Sequence, residues 1–181
     1  MMLLAGCTTT YTDTFVPIAD EQAVLGWKDE DFRFAKKGTR TARADARLYE
    51  EIYNFDDNKE RLQLYVGMYE NPYSWDRNRG ESNLKETLSR LPIISNAKEV
   101  SYFAFSRTSK TVKLYLVIDG QECAAFTELL QLFNYRLHAQ YRSYILGIYC
   151  TTKEKSIADN EIDKVRNAYS FKDDLYDGTG L

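Results

Sequence analysis

Cysteine and histidine, the residues most often found in transition-metal sites and catalytic pairs, are few and far apart in this sequence. There are three cysteines, Cys7, Cys123 and Cys150, and one histidine, His138. Transition-metal sites gather several His or Cys ligands at short spacing, so the sequence predicts no metal and no other cofactor. His138 has no neighbouring Ser, Cys or Asp in a catalytic motif, and we predict no catalytic role for it.

Paired carboxylates are the other candidates for acid–base chemistry. Asp29 with Asp31, and Asp56 with Asp57, are such pairs, but a general acid is defined by its surroundings in the fold rather than by spacing alone. The sequence contains no nucleophile elbow, P-loop, HExxH or dinucleotide-binding glycine pattern. It therefore predicts no catalytic residue and favours a non-enzymatic function.

The stretch LLAGC near the N-terminus resembles the lipobox of bacterial lipoproteins in Leu4, Ala5, Gly6 and Cys7. The resemblance implies that residues 1–6 are the remnant of a signal peptide, that cleavage precedes Cys7, and that the Cys7 thiol carries lipid. The chain departs from a full signal peptide because no basic residue precedes the motif and the apolar run is short. The alternative is an ordinary cytosolic N-terminus with an inert cysteine.

Residues 7–17 are polar and rich in threonine, which is typical of a flexible tether between an anchor and a domain. By the same resemblance, Thr8 in the place of aspartate implies sorting to the outer membrane. The several acyl chains of such a modification would hold the protein firmly at a bilayer surface. We therefore expect a lipid-anchored domain of the bacterial cell envelope, facing the periplasm.

If Cys7 carries lipid, Cys123 and Cys150 remain as an even pair. Disulfides form and persist in oxidising compartments, so export predicts a bond between them. The alternative is two unpaired buried thiols.

The chain of 181 residues has 44% hydrophobic and 28% charged residues, which favours a single globular domain with flanking segments. No run approaches the roughly 20 apolar residues that a transmembrane helix needs. The net charge of -3 gives no basic field, so we predict no nucleic-acid partner.

The hydrophobic pattern after residue 60 predicts an α+β domain. The predicted elements are strand 62–68, helix 83–91, strand 99–106, strand 111–119, helix 123–137, strand 141–150 and helix 158–171. The first six follow the order of the ferredoxin-like split βαβ fold, an antiparallel sheet with both helices on one face. In that fold the second helix begins where the fourth strand ends, which would bring Cys123 next to Cys150.

The rest of the chain flanks this domain, which we place at 59–172. A tail over 173–181 follows it, and an N-terminal extension over 18–58 precedes it, with a helix predicted over 41–55. Residues 33–47 carry six Lys or Arg and one Asp. This stretch could attract anionic lipid headgroups, or it could be a solvated helix face.

Two groups of residues are candidates for contact with a partner protein. The first is the expected open face of the sheet, where exposed aromatic rings could stack on a partner: Tyr65, Tyr115 and Tyr149. The alternative is that the N-terminal segment or the last helix covers these rings.

The second group lies in the loop between the first strand and first helix and has residue types common at interface hot spots: Tyr73, Trp75, Arg77 and Arg79. Its alternative is a solvated turn.

These features together favour a membrane-anchored envelope lipoprotein that binds or helps to assemble a protein partner. One alternative is a periplasmic enzyme or binding protein acting on glycan or peptide. Another is a cytosolic ligand-sensing domain, if the lipobox resemblance is accidental.

Overall fold

A computed structural model describes residues 14–44, 48–57, 59–69, 81–89, 91–107, 111–134 and 139–171. Within these ranges the chain is mostly β-structure. The strands are β1 (Val16–Pro17), β2 (Leu25–Trp27), β3 (Thr39–Ala44), β4 (Leu48–Asp56), β5 (Glu60–Tyr69), β6 (Val100–Arg107), β7 (Thr111–Ile118), β8 (Gln121–Asn134), β9 (Ala139–Thr151) and β10 (Tyr169–Phe171). The helices are α1 (Glu81–Ser89), α2 (Pro92–Ser95) and α3 (Lys155–Ala168). None of these helices has the length and apolar character needed to cross a bilayer.

Eight strands form one antiparallel sheet in the order β1-β3-β4-β5-β9-β8-β7-β6, and β2 pairs with β10 in a separate two-stranded sheet. The large sheet consists of two meanders, β3-β4-β5 and β6-β7-β8-β9. They are joined where β5 pairs with β9, from Glu60 opposite Thr151 to Tyr69 opposite Arg142. This central pairing makes one sheet out of two parts that are distant in sequence.

Both faces of the large sheet are covered, because its strands place apolar side chains on each side. On one face, α3 and the segment 18–34 pack over residues such as Leu64 and Tyr149. On the other face, α1 and α2 pack over residues such as Leu116 and Leu146. We call these the α3 face and the α1 face.

The local sequence explains the tight turn between β7 and β8. Asp119 and Gly120 are its two central residues, and both have positive φ, 49° and 79°. A two-residue hairpin turn of this hand requires positive φ at both positions, and Asp-Gly is a preferred pair there. Asp119 also fixes the incoming chain, because its carboxylate accepts the backbone N–H groups of Lys98 at 2.9 Å and Glu99 at 3.0 Å.

The ferredoxin-like prediction is wrong. The segment 123–137, predicted as its second helix, belongs largely to strand β8, and the described helices cover both faces of the sheet instead of one. The helix predicted over 41–55 is also wrong, since β3 and β4 occupy most of that range and join the same sheet. In β8 the cause is burial on both faces: Cys123 through Phe126 are all buried, and such an apolar run does not distinguish a strand from a helix.

The predicted cysteine pair is confirmed, although by a different geometry. Cys123 on β8 lies directly opposite Cys150 on β9, with Cα atoms 4.1 Å apart and sulfur atoms at bonding distance, 2.09 Å. Both residues are fully buried on the α1 face. The disulfide therefore links two neighbouring strands inside the core, not a helix start to a strand end.

We expect the disulfide to stabilise the native state substantially. It closes a loop with a sequence separation of 27, for which the chain-entropy model gives about 3.5 kcal/mol. Urea unfolding of the oxidised protein and of the Cys123→Ala/Cys150→Ala double variant, both with Cys7 replaced by Ser, measures this difference. A reducing agent should lower the free energy of unfolding of the first protein and leave the second unchanged. Equal sensitivity of both proteins to reduction would contradict the bond.

Candidate functional site

The three tyrosines predicted to share an open face do not do so. Tyr149 is fully buried on the α3 face beneath the N-terminal segment, with its ring centroid 6.0 Å from that of Phe34. Tyr115 lies on the same face and donates its hydroxyl to Asp159 of α3 at 2.8 Å. Tyr65 is buried on the opposite face. The alternative interpretation, in which the N-terminal segment and the last helix cover the rings, therefore applies to Tyr115 and Tyr149.

Several predicted site residues lie outside the described residues. They are Cys7, Tyr73, Trp75, Arg77 and Arg79. His138, for which we predict no catalytic role, also lies outside them. The proposed roles of Cys7 in lipidation and of the loop residues in partner binding stay predictions from the sequence.

A network of charged side chains attaches α3 to the sheet. Lys113 of β7 contacts Asp159 at 2.8 Å and Asp163 at 2.7 Å, and Arg166 pairs with Glu128 of β8. Burial alone would raise the pKa of Glu128, but hydrogen bonds from Thr111, Tyr169 and Arg166 hold it below the ordinary value. Glu128 is therefore a stable anion that holds α3 in place.

A second network holds the N-terminal segment on the same face. Arg33 donates to Glu60 at 2.5 Å, to Glu161 at 3.0 Å and to the Tyr149 hydroxyl at 3.2 Å. Burial raises the pKa of Tyr149 to about 12. Burial would also raise the pKa of Glu60, yet the hydrogen bonds from Arg33 and Tyr149 keep it below the ordinary value. Tyr149 therefore stays protonated and Glu60 stays ionised around neutral pH, so the hydrogen bonds of this network do not change there.

Glu51 anchors the same segment from within the core. Its carboxylate is fully buried and accepts the backbone N–H groups of Val24 at 2.8 Å and Leu25 at 3.2 Å. Arg40 and the Tyr49 hydroxyl each donate to it at 3.0 Å. Desolvation raises the pKa of Glu51, and the charge of Arg40 opposes that shift. The described residues contain no group of three or more His, Cys, Asp or Glu arranged to hold a metal.

The surface best suited to contact another protein is the outer edge of β6. In the described part of the chain no strand pairs with this side of β6, and the backbone N–H and C=O groups of such an edge are the ones that an added strand uses. From Val100 through Ser106 the strand has no charged residue. Phe103 has no paired residue on β7, because the register shifts between Tyr102 and Ala104. Its side chain is 45% exposed.

The opposite edge of the sheet is different. It ends in β1, which has only two residues, Val16 and Pro17, and proline cannot donate a backbone hydrogen bond to a neighbouring strand. A short strand containing proline is a common way of blocking edge-to-edge pairing. The two edges therefore differ: among the described strands β6 is the longer edge, and it offers a partner two stretches of backbone on either side of its bulge at Phe103.

Sequence reasoning placed a strand at 99–106 but did not identify it as a binding edge. The position of a strand within a sheet depends on long-range pairing, which a single sequence does not contain. The available signal was the absence of charge over Val100–Ser106, because edge strands usually carry charged residues that prevent association.

The Glu128 network predicts a specific pH dependence of stability. Because the pKa of Glu128 is lowered in the folded state, its contribution is complete above its ordinary pKa of about 4.3 and is lost as pH falls through the folded pKa. Glu128→Gln should lower the free energy of unfolding by about 2 kcal/mol at pH 7, and the difference should shrink towards pH 3. Urea unfolding at several pH values measures it, with the exposed Glu30→Gln as control. A difference that stays constant with pH would contradict the ionic role.

Comparison of the chain with models of protein families, with curated proteins and with solved structures found no match.

Proposed function

We propose that this protein is a lipid-anchored component of the bacterial cell envelope that binds a protein partner. Cys7 would carry the lipid at the outer membrane, residues 7–17 would form the tether, and the folded domain would face the periplasm. The partner would dock on the outer edge of β6 as an added strand. The protein would act as an accessory or assembly component and not as an enzyme.

The observation that carries the proposed location is the buried pairing of Cys123 with Cys150. Stable structural disulfides are typical of exported proteins and rare in the reducing cytosol. The pairing uses both cysteines of the described chain and leaves Cys7, which lies in the LLAGC motif. Two features from distant parts of the sequence thus support export.

The support for protein binding comes from β6. Strand addition uses backbone hydrogen bonds for affinity and side-chain pockets for selectivity. The eight-residue strand offers the backbone groups. The exposed Phe103 ring, which lies 4.3 Å from the Lys155 ammonium and 6.4 Å from the Tyr115 ring, offers an apolar contact at the sheet edge. A partner with an extended apolar segment fits this surface.

The anchor is tested by the variant Cys7→Ser in the native host. The wild-type protein should fractionate with membranes and carry the mass of attached acyl chains on a new N-terminal cysteine. The variant should lose that added mass and enter the soluble fraction, because two or more acyl chains supply most of the membrane affinity. Thr8→Ser is the matched control and should leave fractionation unchanged. Wild-type protein that keeps Met1 and an unmodified Cys7 would contradict the anchor.

The partner edge is tested by photo-crosslinking in intact cells. A photoreactive residue in place of Ser101 should give a covalent adduct of defined mass with one envelope protein, whereas the same residue in place of Val16 on β1 should not. Phe103→Glu should weaken the interaction about tenfold, or about 1.4 kcal/mol, and so reduce the adduct from position 101.

The matched control for Phe103→Glu is Val16→Glu, because Val16 is the other large hydrophobic residue exposed in the described chain, at 41%. It should leave the adduct from position 101 unchanged. An adduct that Phe103→Glu does not diminish, or that forms equally from both edges, would remove β6 from consideration. The loop with Trp75 and Arg77 would then be the next surface to label.

A further inference from the structure

A pocket of about 330 Å³ opens on the α1 face at the end of the sheet. It lies between the paired ends of β4 and β5, helix α2 and the β7–β8 turn. Its polar lining residues are Asn54, Asp56, Arg61, Gln63, Asn96 and Asp119, and its apolar wall includes Pro92 and Ile93. This volume lies at the lower end of the range for small-molecule sites, roughly 300–1,000 Å³.

Arg61 differs from the other arginines whose side chains the structure describes. Each of these other four forms an ion pair with a carboxylate: Arg33, Arg40, Arg43 and Arg166. Arg61 forms none within the described part of the chain, and its Nε–H is buried without a hydrogen-bond partner there. A buried donor left without an acceptor is costly to a fold. A ligand that supplies the acceptor would remove this cost.

The walls around Arg61 are held in place before any ligand binds. Gln63 is 2% exposed; its side-chain amide donates to Asn54 and its carbonyl oxygen accepts the backbone N–H of Ile93 at 3.3 Å. Asp119 is fixed on the opposite side by its hydrogen bonds to the backbone of Lys98 and Glu99. A rigid site loses little conformational freedom on binding, which favours affinity for a small ligand.

The chemistry of the lining selects the class of ligand. A guanidinium offers parallel N–H donors that match the two oxygens of a carboxylate. Asp56 and Asp119 in the same pocket would repel a doubly charged anion such as phosphate more strongly than a monoanion. Pro92 and Ile93 supply apolar contact, and Asn54 and Asn96 supply amide groups.

We infer that the pocket binds a small monocarboxylate that also carries an amide, such as an N-acylated amino acid or the C-terminal residue of a peptide. Arg61 binds the carboxylate through a terminal nitrogen and, once its side chain turns the buried Nε–H towards the pocket, through Nε as well. The polar walls orient the amide, and the apolar wall contacts the remainder. This site lies on the opposite side of the sheet from Phe103 and does not depend on the partner surface of β6.

Calorimetric titration of the full chain with Cys7→Ser tests the site. N-acetylglycine should bind saturably, and N-acetylglycinamide, which has nearly the same shape without the charge, should bind at least tenfold more weakly. Inorganic phosphate should also bind more weakly than N-acetylglycine. Acetylated tetra-alanine with a free C-terminus distinguishes the sources: binding comparable to that of N-acetylglycine indicates a peptide terminus, and exclusion indicates a free small molecule.

The variants assign any binding to Arg61. Arg61→Gln should weaken N-acetylglycine at least tenfold, and Arg61→Lys should give an intermediate affinity because it keeps the charge but loses the planar fork. Lys37→Gln removes one exposed charge outside the pocket and should have no effect. In the unsubstituted pocket, the Arg61 Nε–H resonance should shift on titration, which is a readout independent of variant folding. Absence of saturable binding, equal binding of the amide, or an unshifted Nε–H resonance would overturn the proposal.

Discussion

The pairing of β5 with β9 is the constraint on which the rest of the structure depends. Ten residues of β5 pair with β9, and this ladder alone connects the two meanders within the described sheet. The close approach of aromatic rings to this pair requires glycine: a Cβ on Gly67 would lie 2.5 Å from the Tyr144 ring, and one on Gly147 would lie 2.2 Å from the Phe126 ring. The disulfide then fixes β9 to β8, so the centre of the sheet is cross-linked as well as packed.

The centre of the sheet is packed and cross-linked, so the proposed binding sites lie at its edge and at the end of its strands. Two adjacent residues of β5 show how the two faces of a strand make different contacts. Glu60 and Arg61 are neighbours in sequence and have opposite charges, but side chains alternate along a strand and point to opposite faces. Glu60 meets Arg33 and Lys153 on the α3 face, whereas Arg61 faces the pocket on the α1 face. The alternation places this acid and this base on opposite faces, so the two side chains do not pair with each other.

The sequence alone predicts the parts of this fold that follow from local periodicity. The strands now seen as β5, β6, β7 and β9 and the helices α1 and α3 all overlap predicted elements, because the sequence alternates or is rich in aromatic and β-branched residues along the strands and has an apolar stripe along the helices. The hairpin β3–β4 was not predicted: its buried Glu51 lies in a helix-like composition, and the Arg40 that pairs with it comes from the neighbouring strand. The pocket and the open edge depend on the order of strands, which no local pattern contains.

The disulfide prediction survived an incorrect fold for a physical reason. It depended in part on the even pair of cysteines that remains once Cys7 is assigned to lipid, and that count does not depend on which element contains Cys123. In the structure the two residues lie directly opposite each other on β8 and β9 with Cα atoms 4.1 Å apart, close to the roughly 4.5 Å that antiparallel pairing itself provides. The strand register therefore brings the two cysteines together independently of any N-terminal motif. Because this register and the LLAGC motif lie in different parts of the sequence, the pairing of Cys123 with Cys150 is a separate argument for the oxidising compartment proposed above.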